Sequence, residues 1–116
     1  MYINWDLPLI LCEGAFDAMS IKRNAIPLFG KKISNTLMKK IIESNVKKIY
    51  LALDDDALID AFKHAETFLS YGKKVYLIEM EGKDPNELGF ENFTKLLHKA
   101  TELTTSILMK KRLALS

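Results

Sequence analysis

Several residue types that would define a fold class are scarce in this chain of 116 residues. It has one cysteine, three prolines, five glycines, one tryptophan and two histidines. A single cysteine excludes an internal disulfide framework, and we expect Cys12, which lies in an apolar run, to be a buried and reduced thiol. No apolar run approaches the roughly 20 residues of a membrane span, and the first residues are not typical of a signal peptide. We therefore expect a cytoplasmic protein with no membrane partner.

An excess of one sign of charge is also missing from most of the chain. The net charge is +2, from 17 basic and 15 acidic residues. The imbalance is confined to residues 95–116, which carry five basic residues and one acid. This composition is not that of a strongly basic nucleic-acid-binding protein, although the tail is basic. A solvated helix face is the simpler explanation of the tail.

The hydrophobic pattern alternates between short apolar runs and amphipathic segments. Four runs have the length and composition of strands: residues 8–12, 26–29, 48–53 and 74–80. Helical periodicity predicts the elements between and after them: residues 16–23, a helix from Ser34 or Asn35 to about 44, residues 57–71, and one long or two short helices beyond 85. Strands and helices in this alternation, with short connections, predict parallel strands with right-handed crossovers, and hence an α/β fold.

The predicted sheet has four parallel strands in the order 2-1-3-4, flanked by helices. Proline cannot donate a hydrogen bond to a neighbouring strand, so Pro27 predicts that the second strand lies at an edge. The same order places the first strand beside the third, where ligands bind in open α/β sheets. We expect one domain over residues 1–103 and a basic helical tail over residues 104–116.

Carboxylates follow three of the predicted strands, at the points where the apolar runs end. They are Glu13, the Asp54–Asp56 triplet and Asp84. The carboxyl ends of parallel strands meet at one edge of a sheet, so these side chains are expected to lie together. Crowded carboxylates repel unless a cation compensates, and oxygen ligands select Mg²⁺, Mn²⁺ or Ca²⁺ over zinc. The predicted metal ligands are Glu13, Asp54, Asp56 and Asp84.

Each acid also has a purely structural explanation. Asp55 or Asp56 can cap the helix that follows the triplet, because a short acceptor satisfies free backbone N–H groups there. Asp84 stands before Pro85, an arrangement typical of a helix start. Asp17 can complement the positive end of its helix. Taken singly, capping is favoured at each place, whereas three acidic turns on one edge together favour a metal site.

These acidic turns carry a resemblance to a known family. Glu13-Gly14-Ala-Phe-Asp17, Asp54-Asp55-Asp56 and Lys83-Asp84-Pro85 resemble, in order, the signature segments of the TOPRIM domain. That domain is shared by bacterial-type primases, type IA and type II topoisomerases, and some nucleases and recombination proteins. The resemblance covers residues 8 to about 93 and is greatest to the DnaG-like branch of bacterial and phage primases. It implies a Rossmann-like parallel sheet whose acidic edge binds catalytic Mg²⁺ or Mn²⁺ for nucleotidyl transfer.

The resemblance also implies a role for individual residues. Glu13 would be the motif glutamate, acting as a general acid/base or as a ligand. Asp54 and Asp56 would be catalytic metal ligands. Gly14 would provide the turn, and Asp17 and Asp84 would be supporting carboxylates. Lys83 could neutralise phosphate or be a solvated turn residue.

Three places depart from the family pattern. Asp55 stands where primases commonly have glycine, Leu58-Ile59 stands where they commonly have Ala-Gly, and Asn86 replaces the second acid of the usual turn. Primases also have a zinc-binding module and a basic template-binding subdomain before this domain, so we expect the chain to be part of a larger phage-type protein. Through that parent it would take part in RNA primer synthesis for DNA replication. Its partners would be single-stranded DNA template, nucleotides and a replicative helicase.

Other functions stay open at this point. A standalone metal-dependent nuclease would use the same acids to activate water against a phosphodiester. A non-catalytic interaction module in recombination or repair would bind a partner protein, although such a module has no need of clustered acids. A receiver-like phosphoacceptor is disfavoured because receivers place their acidic pair after the first strand, and here the triplet follows the third.

Overall fold

The computed structural model describes residues 3–14, 24–28, 32–53, 55–79 and 85–115. Five strands lie in these ranges: β1 (Leu9–Cys12), β2 (Ala25–Pro27), β3 (Lys48–Ala52), β4 (Lys74–Leu77) and β5 (Thr101–Glu102). The described helices are α1 (Asn35–Glu43), α2 (Asp55–Ser70), α3 (Pro85–His98) and α4 (Thr105–Leu115). The predicted helix over residues 16–23 lies outside the described residues.

The five strands form one sheet in the order β2-β1-β3-β4-β5. Strand β1 is parallel to both β2 and β3, and β4 is parallel to β3, which confirms the predicted order 2-1-3-4 and the edge position of Pro27. Strand β5 is antiparallel to β4 and was not predicted, because two residues are too few to show a hydrophobic period. The α/β fold is confirmed, with a mixed sheet in place of an all-parallel one.

Helices cover both faces of the sheet. Successive strand residues point to opposite faces, and two apolar clusters result. The larger cluster packs α1, α2 and α4 against one face and includes the fully buried Phe62, Phe68 and Leu108. The smaller cluster packs α3 against the other face through Phe93, which is also fully buried. Burial on both faces explains why the parallel strands are continuous apolar runs in the sequence.

Local signals set the ends of the helices. Helix α1 begins as predicted, because the Ser34 hydroxyl oxygen accepts a hydrogen bond from the Leu37 N–H at 3.1 Å. Helix α2 ends before Gly72, whose φ of 81° is a left-handed conformation that glycine adopts readily. Helix α3 is interrupted at Gly89, with φ 77°. No helix in the described part of the chain is long and apolar enough to cross a membrane.

A buried cation connects α1 to the start of β4. Lys73 is only 9% exposed, and its Nζ donates hydrogen bonds to the carbonyl oxygens of Ser44 at 3.2 Å and Val46 at 2.6 Å. Ser44 is the C-cap of α1, where the helix dipole favours a positive charge. Burial lowers the pKa of the Lys73 ammonium group from its ordinary value of 10.5.

Replacing Lys73 with methionine should destabilise the fold. The change leaves two carbonyl oxygens without their donor, and relief of the buried charge offsets only part of that loss. We expect the free energy of unfolding to fall by about 1–3 kcal/mol, measured by urea denaturation. Lys74→Met changes the adjacent, exposed lysine and should alter that free energy by less than about 0.5 kcal/mol. Equal effects of the two substitutions would contradict the role assigned to Lys73.

Candidate metal centre

Strand β1 places Glu13 at the carboxyl edge of the sheet. All four residues of the strand are buried, and Glu13 follows it directly. Glu13 is half-buried, and its Oε1 atom is inaccessible to solvent. Cys12 is a buried thiol outside any disulfide, as predicted, and its Sγ lies 3.8 Å from the carbonyl oxygens of both Gly14 and Ile26, to either of which it can donate. This contact with the turn was not predicted, although the position of Cys12 directly before the Glu-Gly pair is a signal for it.

Strand β3 ends beside β1 at the same level of the sheet. Cys12 and Ala52 are register partners, so Glu13 and Leu53 follow at adjacent positions. Leu53 is buried in the larger apolar cluster, and α2 begins at Asp55. The strands that precede Glu13 and the acidic triplet are therefore neighbours. Asp55 and Asp56 are the first two residues of α2.

Several predicted site residues lie outside the described part of the chain: Asp17, Asp54, Lys83 and Asp84. For Asp56, the structure describes the backbone at the start of α2. Among the described side chains there is no group of three or more His, Cys, Asp or Glu residues that could hold a metal ion. The ligand set Glu13, Asp54, Asp56 and Asp84 accordingly stays a prediction.

The chemistry of Glu13 suits a hard divalent cation. Its carboxylate supplies oxygen ligands, which Mg²⁺ and Mn²⁺ prefer. Because Oε1 is shielded from water, a charge at this position is favoured by an adjacent cation more than it would be at the surface. The strand beneath it is buried on both sides, so the backbone that carries Glu13 is held firmly. The chemistry of Glu13 is therefore compatible with its predicted role as a ligand of Mg²⁺ or Mn²⁺.

The two histidines do not extend this site. His64 lies half-buried on α2, and burial lowers its pKa, an effect that Asp60 opposes and that Lys32 and Lys63 reinforce. His98 is exposed at the end of α3. Within the ranges that the structure describes, neither belongs to a cluster of potential metal ligands. A nitrogen-ligated zinc centre has no support in this part of the chain.

Basic residues of α4 are engaged within the domain. Arg112 forms an ion pair with Glu66 of α2, and Lys111 Nζ lies 3.5 Å from Oε1 of Glu79. Lys110 is exposed. Two of the three positive charges of α4 are therefore offset by acids of the same chain. Such a helix offers few free cations for contact with phosphates, which dominate nucleic-acid affinity.

Comparison with known proteins agrees with this geometry. Residues 10–89, more than half of the chain, match the Toprim-like family. A similar solved structure is the crystal structure of the Aquifex aeolicus primase, comprising its zinc-binding and RNA polymerase domains, with 25% sequence identity and a TM-score of 0.65. The similarity covers 84% of this chain and 27% of the primase chain, so the chain spans about a quarter of that length. A search of curated proteins found no match.

Proposed function

The chain belongs to the Toprim-like family, as a TOPRIM domain of the DnaG-like primase type, and we propose that it is the catalytic, metal-binding domain of a primase-like nucleotidyltransferase. The observation that carries the proposal is the adjacency of β1 and β3. This adjacency brings Glu13 and the strand that precedes Asp54 to one edge of the sheet. The carboxyl edge is where open α/β sheets bind their ligands.

TOPRIM domains generally bind divalent metal ions. In this chain Glu13, Asp54, Asp56 and Asp84 would hold Mg²⁺ or Mn²⁺. Ions of this class supply charge neutralisation of a triphosphate and favour in-line attack by a 3′-hydroxyl group. Glu13, which follows a buried strand, would orient the reacting group and hold or release a proton at its carboxylate. Supporting roles are proposed for Gly14, Asp17 and Lys83.

Action within a larger protein is part of the proposal. The primase of similar structure is almost four times as long as the matched region, since the match covers 27% of it. We propose that single-stranded template and nucleotides meet this domain through a parent protein, with a replicative helicase as a further partner in RNA primer synthesis. The domain itself is nearly neutral, at a net charge of +2. Residues 1–116 alone should therefore synthesise little or no primer, because their grip on a template is weak.

A calorimetric titration with Mn²⁺ tests the proposed metal site. We expect saturable binding to the wild-type domain and an affinity at least about tenfold lower for Asp54→Asn, because a charged ligand is lost. Asp60→Asn is the matched control: Asp60 lies on α2 and is 3.7 Å from Lys32 and 4.0 Å from Lys63. This control should keep the wild-type affinity. Equal affinities for all three proteins would contradict the site.

A separate assay distinguishes nucleotidyl transfer from phosphodiester cleavage. Template-directed incorporation of nucleotides should require the longer parent protein together with Mg²⁺ or Mn²⁺. Robust primer synthesis by residues 1–116 alone would refute the claim that these residues are insufficient. Metal-dependent cleavage of a phosphodiester without any nucleotide incorporation would contradict nucleotidyl transfer and would show that the protein is a nuclease.

A further inference from the structure

Strands β3 and β4 begin with nearly the same sequence. Residues 47–51 read Lys-Lys-Ile-Tyr-Leu, and residues 73–77 read Lys-Lys-Val-Tyr-Leu. The strands pair in parallel with these segments in register, so that Lys48 lies opposite Lys74 and Tyr50 lies opposite Tyr76. Alternate residues of a strand share a face, so the four side chains lie on one face of the sheet. We call this set the lysine–tyrosine patch.

The aromatic half of the patch is a stacked pair. The ring centroids of Tyr50 and Tyr76 are 4.8 Å apart, with 16° between the ring planes. Both residues are half-buried, and Tyr50 packs against the smaller apolar cluster under α3. Lys48 Nζ lies 6.0 Å from the centroid of the Tyr76 ring. The rings are thus anchored in the fold, retain accessible surface and have a cation beside them.

The lysine half of the patch is electrostatically unfavourable by itself. Like charges directly opposite each other on adjacent strands destabilise a sheet. Lys48 and Lys74 are both exposed, and within the described ranges neither forms an ion pair with a carboxylate. One acid, Glu102 of β5, is the register partner of Tyr76 on this face. Anionic groups bound at the two lysines would relieve their repulsion.

We propose that the lysine–tyrosine patch binds single-stranded nucleic acid, with one backbone phosphate at Lys48, a second at Lys74 and a base stacked against the tyrosine pair. Sequence-tolerant binding of single strands combines these same two features, cations along the backbone and aromatic rings for the bases. In a duplex the base faces are stacked on each other, so a single strand suits the tyrosines better. The inference rests on the proposed function, and it gives a template strand a contact on the domain itself.

The position of the patch separates it from the acidic edge. Lys48 and Lys74 begin their strands, whereas Glu13 follows the end of the neighbouring strand β1. Because Leu9 and Ile49 are register partners, Glu13 lies five residues beyond the level of Lys48, roughly 17 Å at the usual rise per strand residue. A strand bound at the patch would therefore approach the acidic edge along the face that α3 partly covers. Two phosphate contacts predict weak binding, with a slope of about −1.4 for log affinity against log salt concentration.

Fluorescence anisotropy with a labelled oligothymidylate tests the patch, in EDTA so that metal binding plays no part. Lys48→Gln and Lys74→Gln should each lower the affinity several-fold and reduce the salt slope to about −0.7, the value for one phosphate contact. Glu102→Gln should raise the affinity, because it removes the acid on this face. Lys39→Gln is the matched control: Lys39 is an exposed lysine of α1, 3.9 Å from Glu43, and its loss should change neither quantity.

The stacking contact needs a separate probe. The wild-type domain should bind oligothymidylate about tenfold more tightly than an abasic strand of equal length. Tyr76→Leu, checked for folding by circular dichroism, should abolish that preference. Equal binding of the two strands by the wild type would refute the stacking contact even if the variant does not fold.

Two outcomes would overturn the patch as a whole. One is unchanged binding by Lys48→Gln and Lys74→Gln, and the other is no measurable binding by the wild type at low salt. The metal titration distinguishes this failure from failure of the proposed function. Intact Mn²⁺ binding without oligonucleotide binding refutes the patch alone, and the reverse result refutes the metal site alone.

Discussion

Truncating Phe93 to alanine should lower the free energy of unfolding by about 3–5 kcal/mol. Phe93 is fully buried and is the largest side chain of the smaller apolar cluster, where it packs α3 against the sheet. Its loss removes buried apolar surface and leaves a cavity, and the neighbouring strands are held on their other face, so the site can collapse only partly. The free energy is measured by urea denaturation followed by circular dichroism.

Phe90 provides the matched control for this substitution. It lies on α3, three residues before Phe93, and is 39% exposed. Phe90→Ala should therefore cost less than about 1 kcal/mol. A similar loss for both variants would show that α3 is not anchored mainly through Phe93. A loss below about 1 kcal/mol for Phe93→Ala would contradict the packing of this face.

Replacing Glu13 with glutamine should have different consequences with and without metal. Without metal, the variant should be about as stable as the wild type, because glutamine keeps the shape of the side chain and avoids the desolvation cost of a carboxylate with a solvent-shielded oxygen. With free Mn²⁺ at about 100 times the dissociation constant, the wild type should gain about 2.7 kcal/mol. The variant should lose most of that gain, because glutamine keeps the shape of the side chain but lacks its charge.

Thermal unfolding in EDTA and in Mn²⁺ measures this difference. Glu43→Gln is the control: Glu43 is an exposed glutamate of α1 that pairs with Lys39. The control should retain the full increase in melting temperature caused by Mn²⁺. An equal Mn²⁺-induced increase in the Glu13→Gln and Glu43→Gln proteins would exclude Glu13 as a ligand. A large destabilisation of Glu13→Gln in EDTA would assign it a structural role instead.

Much of the fold could be predicted from the sequence, because the patterns that indicate strands and helices are local and recur along the chain. Apolar runs separated by helical periods predicted the parallel strands, and Pro27 predicted the edge strand. Strand β5 could not be predicted, because its two residues are too few to show a period and they pair with β4 across the whole length of α3. The interruption of α3 was equally hidden, since Gly89 is compatible with either a continuous or a broken helix until packing decides.

The position of Glu13 was predictable from the sequence, whereas the ligand set proposed around it stays a prediction. Glu13 follows a buried strand, and parallel strands share an edge, so its location followed from topology. Distances between carboxylates depend on turn conformations, which hydrophobic periodicity does not encode. The burial of individual lysines could not be predicted from local sequence either. Lys47 and Lys73 occupy equivalent places in two matching segments, yet Lys47 is exposed and Lys73 is buried, because only Lys73 lies against the carbonyl groups after α1.

The two outermost strands also determine how the folded domain behaves at high concentration. Strand β2 has three residues and includes Pro27, and strand β5 has two. Short edge strands and an edge proline leave few backbone groups for pairing with another chain, which is how natural sheets avoid aggregation. The long apolar strands that could support such pairing, β1, β3 and β4, are all interior. Fibrous assembly of this domain should therefore require prior detachment of an edge and should increase with unfolding rather than with concentration alone.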